Sequence, residues 1–139
     1  MLEPMLRTQG DMPALVGRHG RFSYRELDVA VSRAAATLHS LGLRAPDRVA
    51  ACLPNDVDIV IAFLATQRLG LVWVGVNRLL APAEKLQILG DSGSRAYLVS
   101  AGLGHEVESR RTELPALEHV LRVDPDSADC EWRAALARA

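Results

Sequence analysis

Apolar positions along the chain change their period several times, and each change marks an element. Ala14-Leu15-Val16 and Arg21-Phe22-Ser23-Tyr24 flank Gly17-Arg18-His19-Gly20. Two short apolar stretches around a turn with glycine at both ends predict a hairpin. From Ser23 the period lengthens. Leu27, Ala30, Val31, Ala34, Leu38 and Leu41 recur at intervals of three and four, which predicts a helix over 24–41 with one apolar face. Ser23 with Glu26 three residues on has capping-box spacing, and Gly42 stands where a left-handed residue stops the helix. Arg48 to Leu53 is an unbroken apolar strand ended by Pro54; Asn55 or Asp56 then caps a second helix to about Leu69, closed by Gly70.

The alternation continues. Leu71 to Val76 predicts a strand, and Pro82 opens a helix that ends near Leu89, with Gly90-Asp91-Ser92-Gly93 as its turn. Arg95 to Ser100 is another strand, residues 104–112 a charged helix, His119 to Val123 a fifth strand, and Glu131 to Arg138 a short amphipathic helix. Residues 1–13 lack a period and predict a loose N-terminal segment, which leaves 14–139 as one folded unit. Strands separated by helices imply βαβ units, and strands that are apolar on both faces belong in a parallel sheet covered on both sides. The expected fold is therefore α/β, with an open, mostly parallel sheet.

Composition narrows the function classes. The 139 residues are 49% hydrophobic and 24% charged, with 16 basic and 17 acidic side chains and a formal net charge of −1. Such balance argues against a nucleic-acid partner, which needs a clustered basic excess. No apolar stretch reaches the ~20 residues that cross a bilayer, so no transmembrane segment is expected. Cys52 and Cys130 stand 78 positions apart without metal-ligand spacing, which fits reduced thiols and a cytoplasmic location.

Candidate chemistry is sparse. Val99-Ser100-Ala101-Gly102-Leu103-Gly104 places a Gly-x-Gly between a strand and a helix, with Asp124 twenty residues beyond Gly104. That arrangement is one reading as a dinucleotide site, with backbone near the pyrophosphate and an acid on the ribose. Val107 stands at the third glycine position, and Glu106 and Glu108 put negative charge where a phosphate would arrive, so a plain strand-to-helix turn is the simpler reading. The four histidines are scattered without ligand spacing. No nucleophile elbow, Walker A loop or zinc motif is present.

More specific is the order of short motifs from Ala14 to about Val123. Phe22-Ser23-Tyr24-Arg25-Glu26-Leu27, Leu41-Gly42-Leu43, Asp47-Arg48-Val49-Ala50, Leu53-Pro54-Asn55, Arg68-Leu69-Gly70, Asn77-Arg78-Leu79, Pro82-Ala83-Glu84 and Leu89-Gly90-Asp91-Ser92-Gly93-Ser94-Arg95 follow one another at fixed spacing. This series resembles the N-terminal part of the AMP-dependent synthetase and ligase superfamily, the adenylate-forming enzymes, and within it the acyl-CoA synthetases (fatty-acid–CoA ligases). Two positions depart from the family pattern: Ala45-Pro46 replaces a usual glycine, and Gly75 replaces a common proline. The leading helix common in the family is not expected here.

The resemblance implies an ATP-dependent, AMP-forming acid–thiol ligase that uses a carboxylic (fatty) acid, ATP, Mg²⁺ and CoA. It implies no catalytic residue within these 139, because the family's Ser/Thr/Gly-rich nucleotide loop and its late lysine are not among them. The expectation is that the chain is inactive alone and binds no cofactor by itself. The one carry-over is at Asn77 and Arg78, a turn that approaches CoA in some members. A different class of function is a non-catalytic scaffold that forms a homodimer through an exposed sheet face or edge.

Overall fold

The computed structural model describes residues 1–127 and 129–139. A hairpin of β1 (Pro13–Gly17) and β2 (Gly20–Ser23) precedes the helix α2 (Tyr24–Ser40). Then β3 (Arg48–Cys52), α3 (Val57–Arg68), β4 (Val72–Gly75), α4 (Pro82–Ser92), β5 (Ala96–Ser100), α5 (His105–Ser109), β6 (His119–Val123) and α6 (Glu131–Arg138) alternate to the end. The last four strands form a parallel sheet in the order β4-β3-β5-β6, and the hairpin is a separate antiparallel pair. The expected α/β architecture with an open parallel sheet is the observed one.

Strand register explains the unbroken apolar runs. Val49, Ala51, Ala96 and Leu98 join a core with α2, α3 and α6, whereas Ala50, Cys52, Tyr97 and Val99 join a second core with Leu86, Leu89 and Val107 of α4 and α5. Alternate residues serve opposite faces, so both central strands must be apolar throughout. The chain steps from β3 outward to β4, then crosses back to β5 on the other side of β3. Because every pairing in this sheet is parallel, the carboxyl ends of β3, β4 and β5 lie side by side on one edge of the molecule.

Local signals in the sequence act as read. Ser23 Oγ accepts from Glu26 N at 3.2 Å while Glu26 Oε2 accepts from Ser23 N at 2.7 Å, a complete capping box. Asp56, rather than Asn55, caps α3, its Oδ1 taking the Val57 N–H at 2.8 Å. Gly42 and Gly70 have φ of +89° and +70°, the left-handed geometry that ends the preceding helices.

Three expectations are corrected. Residues Glu3–Gln9 form a helix, α1, where a loose segment was expected. Pro4 sits in its first turn, Glu3 pairs with Arg7 one turn on at 2.6 Å, and Leu2 packs against the core, so docking supplies what periodicity did not signal. The following residues are tied down as well, by Arg25 N–H to Gly10 O and Tyr24 N–H to Met12 O. Helix α4 runs through Gly90 to Ser92 and stops at Gly93, whose φ is +61°; Gly90 is retained inside it beside Leu114, 3.7 Å from where a Cβ would stand. Finally, the charged helix expected over 104–112 is a single turn, α5, followed by a 3₁₀ turn over Arg111–Glu113.

Candidate functional site

The carboxyl ends of β3 and β4 open into a cleft of about 470 Å³, whose lining includes Leu53, Asn55, Gly75, Val76, Asn77 and Arg78. Pro54-Asn55 breaks β3 at this edge, and the chain leaves β4 through Gly75 and Val76 into the turn at 77–80. Val72 and Val76 direct their N–H groups to Asp47 O, just before β3, and to Ala51 O within it. By alternation the Gly75 N–H points to the free edge, so the position that departs from the family's proline requires no ladder bond.

Asn77 and Arg78, joined by sequence, have different surroundings. Asn77 Oδ1 accepts the Leu79 N–H at 2.9 Å, and Asn77 O accepts the Leu80 N–H at 3.3 Å, so its side chain is occupied in shaping the turn. Arg78 is exposed, and its guanidinium makes no ion pair and no hydrogen bond among the described residues. An unengaged guanidinium at the mouth of a cleft has five donors available for an anion, with a fork geometry that suits phosphate. Leu79, beside it, is 91% exposed.

The dinucleotide reading is not supported by the geometry of its own residues. Gly102 and Gly104 both have positive φ, +83° and +85°. A Cβ on Gly104 would lie 3.1 Å from Val99 Cγ2, so the strand's own side chain fills the space a pyrophosphate would need. Val107 is fully buried in the core, and Asp124 Oδ1 accepts the Asp126 N–H at 3.0 Å as a local turn. These residues close a strand-to-helix connection.

Other charged groups are engaged in structure. At the amino ends of the strands, Arg95 bridges Asp47 at 2.5 Å and Glu118 at 2.6 Å. The backbone N–H of Arg44 and the Arg95 guanidinium hold Asp47 below the usual carboxylate range, and Arg95 does the same for Glu118. Tyr97 is fully buried with its hydroxyl lacking a partner among the described residues; burial, with Cys52 and Glu106 nearby, pushes that phenol well above its ordinary value. Lys85, the sole lysine, is 4% exposed on α4. Among the described residues no group of three or more His, Cys, Asp or Glu side chains is placed to hold a metal ion. Both cysteines are free thiols, and among the described residues no helix is long and apolar enough to cross a membrane. Sequence reasoning missed the pairing of His19 with Asp56 and Asp126, residues 37 and 107 positions away, for which the linear pattern carries no signal.

The family model described as AMP-binding enzyme matches residues 2–138. A 3-[(3aS,4S,7aS)-7a-methyl-1,5-dioxo-octahydro-1H-inden-4-yl]propanoyl:CoA ligase of Mycobacterium tuberculosis is 36% identical over 135 residues, covering 94% of this chain and 26% of that protein. A long-chain-fatty-acid–CoA ligase of Escherichia coli is 32% identical over 122 residues, covering 87% of this chain and 22% of its own length. Among solved structures, the anthranilate CoA ligase AuaEII in complex with anthranoyl-AMP superposes with a TM-score of 0.89 at 26% identity, over 99% of this chain and 26% of that one. A fatty acyl CoA synthetase of Mycobacterium tuberculosis gives a TM-score of 0.87 at 26% identity, over 99% and 27% respectively. The chain thus spans about a quarter of the length of the relatives it matches.

Proposed function

Because the chain belongs to the AMP-binding enzyme family, we propose that it serves as the N-terminal subdomain of an AMP-forming acid–CoA ligase. The observation that carries this reading is the match of nearly the whole chain, at 36% identity, to about a quarter of a CoA ligase. In the complete reaction a carboxylate oxygen attacks the α-phosphorus of ATP, forming acyl-AMP as pyrophosphate leaves. The CoA sulfur then attacks the acyl carbon, the thiol proton is lost, and AMP departs. Such chemistry depends on held phosphates and a positioned thiol.

The part assigned to this chain is positional. Its cleft and free Arg78 suit the phosphates of CoA. Asn77 sets the turn that presents Arg78. The chain alone is therefore inactive in adenylation, and its place of action is the cytoplasm, consistent with two free thiols. The test is a chimera in which residues 2–138 replace the matched segment of the Escherichia coli ligase. The expected result is CoA-dependent AMP release from the chimera and no pyrophosphate exchange by the isolated chain. A folded chimera that forms no acyl-AMP, or exchange by the chain alone, overturns the reading.

A homodimer through the sheet edge is a second reading, favoured by one feature. Strand β4 is a free edge, with Val72 exposed on it, and beside it Phe63 of α3 meets Trp73 edge-on at 5.6 Å between ring centroids. An unpaired strand next to exposed aromatic surface favours pairing. Light scattering on the purified chain decides it: a dimer mass that Val72→Lys converts to monomer supports the edge, and a monomer at all concentrations removes it.

A further inference from the structure

The His19 imidazole, in the turn between β1 and β2, has a carboxylate at each ring nitrogen. Nδ1 bonds Asp56, the cap of α3, and Nε2 lies 3.1 Å from Asp126 Oδ1 in the connection between β6 and α6. An ionised carboxylate only accepts, so two such contacts require two N–H donors and hence the imidazolium. The two contacts are unequal. The Asp56 side chain is 9% exposed and also takes the Val57 and His19 backbone N–H groups at 2.8 and 3.2 Å. The Asp126 side chain is 83% exposed and, among the described residues, accepts from His19 alone.

We propose that His19 is a proton-operated latch: protonated, it fastens the β6–α6 connection to the hairpin and α3; neutral, it keeps Asp56 and releases Asp126. The order of release follows from the geometry. A neutral imidazole retains one N–H, and the more buried Asp56 contact, anchored by two backbone donors, keeps it at Nδ1. Nε2 then directs a lone pair at the Asp126 carboxylate, and an attraction becomes a repulsion. Asp126 releases without unfolding the chain, because α6 has its own anchors on Asp58, through Trp132 and Arg133.

Three further charged groups line the cleft with the imidazole: Asp58 of α3, Arg133 of α6 and Arg33 of α2. The hydrogen bond to Asp56 foremost, then that to Asp126, hold His19 above its ordinary value against the effect of burial. A raised histidine stabilises the closed latch fully below about 6.5, the unperturbed value, and loses that contribution as pH rises through the raised one. Asp56 is held below the usual carboxylate range: burial works against this, but the His19 and Val57 hydrogen bonds outweigh it. The latch is closed between these limits and open above them.

Nitrogen-15 NMR of the full chain tests this. His19 is expected to titrate above about 6.5, with the neutral form carrying its proton on Nδ1. Amide protection of Asp126 and Ser127, corrected for intrinsic exchange, should fall about threefold to tenfold between about pH 5.5 and about pH 8.5. Asp126→Asn, an exposed substitution that leaves the fold intact, should lower the His19 midpoint and flatten that pH dependence. An ordinary midpoint, a neutral form protonated on Nε2, or a midpoint unmoved by Asp126→Asn overturns the proposal.

Discussion

The indole N–H of Trp132 donates to Asp58 Oδ1 at 3.2 Å, joining the final helix to the start of α3 across 74 positions of sequence. Trp132 is fully buried and Asp58 nearly so, with Arg133 at 3.8 Å on the other carboxylate oxygen. Burial raises the Asp58 carboxyl above its ordinary value, although Arg133 and the Trp132 bond pull the other way. The folded chain therefore binds this proton more tightly than the unfolded chain. Its contribution to stability is complete below about 3.9, the unperturbed value, and is lost as pH rises through the raised one. Asp58→Asn keeps the acceptor and removes the charge. It should match or exceed wild-type stability at neutral pH and lose that slope in denaturant titrations across acid pH. Trp132→Phe should cost about 1–3 kcal/mol, because it strips a donor from a buried carboxylate.

Arg95 provides a test with the opposite sign. It joins Asp47, before β3, to Glu118, before β6, while its own backbone N–H and C=O bond Arg48 on one side and Glu118 and His119 on the other. Both carboxylates are held low, so their contribution is present above the ordinary carboxylate range and is lost as pH falls through the depressed values. Arg95→Met should lower Tm at neutral pH by an amount that shrinks toward zero in acid. Part of the acid dependence should persist, because the Arg44 N–H still binds Asp47 at 2.8 Å. A Tm deficit independent of pH would show that Arg95 acts through packing alone.

Gly104 separates a structural glycine from a ligand-binding one. Its φ of +85° is costly for any residue with a Cβ, and that Cβ would stand 3.1–3.2 Å from two Val99 methyl groups. Gly104→Ala should therefore destabilise by about 1–2 kcal/mol from backbone strain, with a further loss from Val99 packing. Gly102→Ala, at φ +83° with open space around it, should show the backbone part only. Equal losses in thermal unfolding would remove the packing account.

The fold was largely legible because its signals are local. Ser23 with Glu26, Gly42, Pro54 and Gly70 each set an element boundary through backbone geometry that depends on few neighbours. Both central strands declared themselves by apolar runs that serve two faces. What escaped depends on distant residues. Helix α1 buries no residue of its own and is held by Leu2 on the core and by bonds from the start of α2. Helix α4 runs past Gly90, which lies beside Leu114 24 positions away, and ends at Gly93, where φ is +61°. The candidate site divides similarly. Motif order singled out Asn77 and Arg78, but only the hydrogen bond from Leu79 distinguishes the turn-former from the free cation. The His19 cluster joins residues up to 107 positions apart and has no linear trace.

That distinction makes a sharp prediction for the cleft. Asn77→Ala removes the acceptor that fixes the 77–80 turn and should cost about 0.5–1.5 kcal/mol in chemical denaturation. Arg78→Ala touches nothing among the described residues and should stay within about 0.5 kcal/mol of wild type. In a chimeric ligase that carries residues 2–138, the two should separate again. Arg78→Ala should raise the KM for CoA about tenfold, the loss of one charge-assisted phosphate contact, with little change in the KM for ATP. Arg78→Lys should recover part of it, because a point charge replaces a fork. Asn77→Ala should weaken CoA less than Arg78→Ala, since a loosened turn still carries the guanidinium. If Arg78→Ala leaves the CoA KM unchanged while Asn77→Ala raises it, the cleft recognises its ligand through turn shape, and the guanidinium has no part in it.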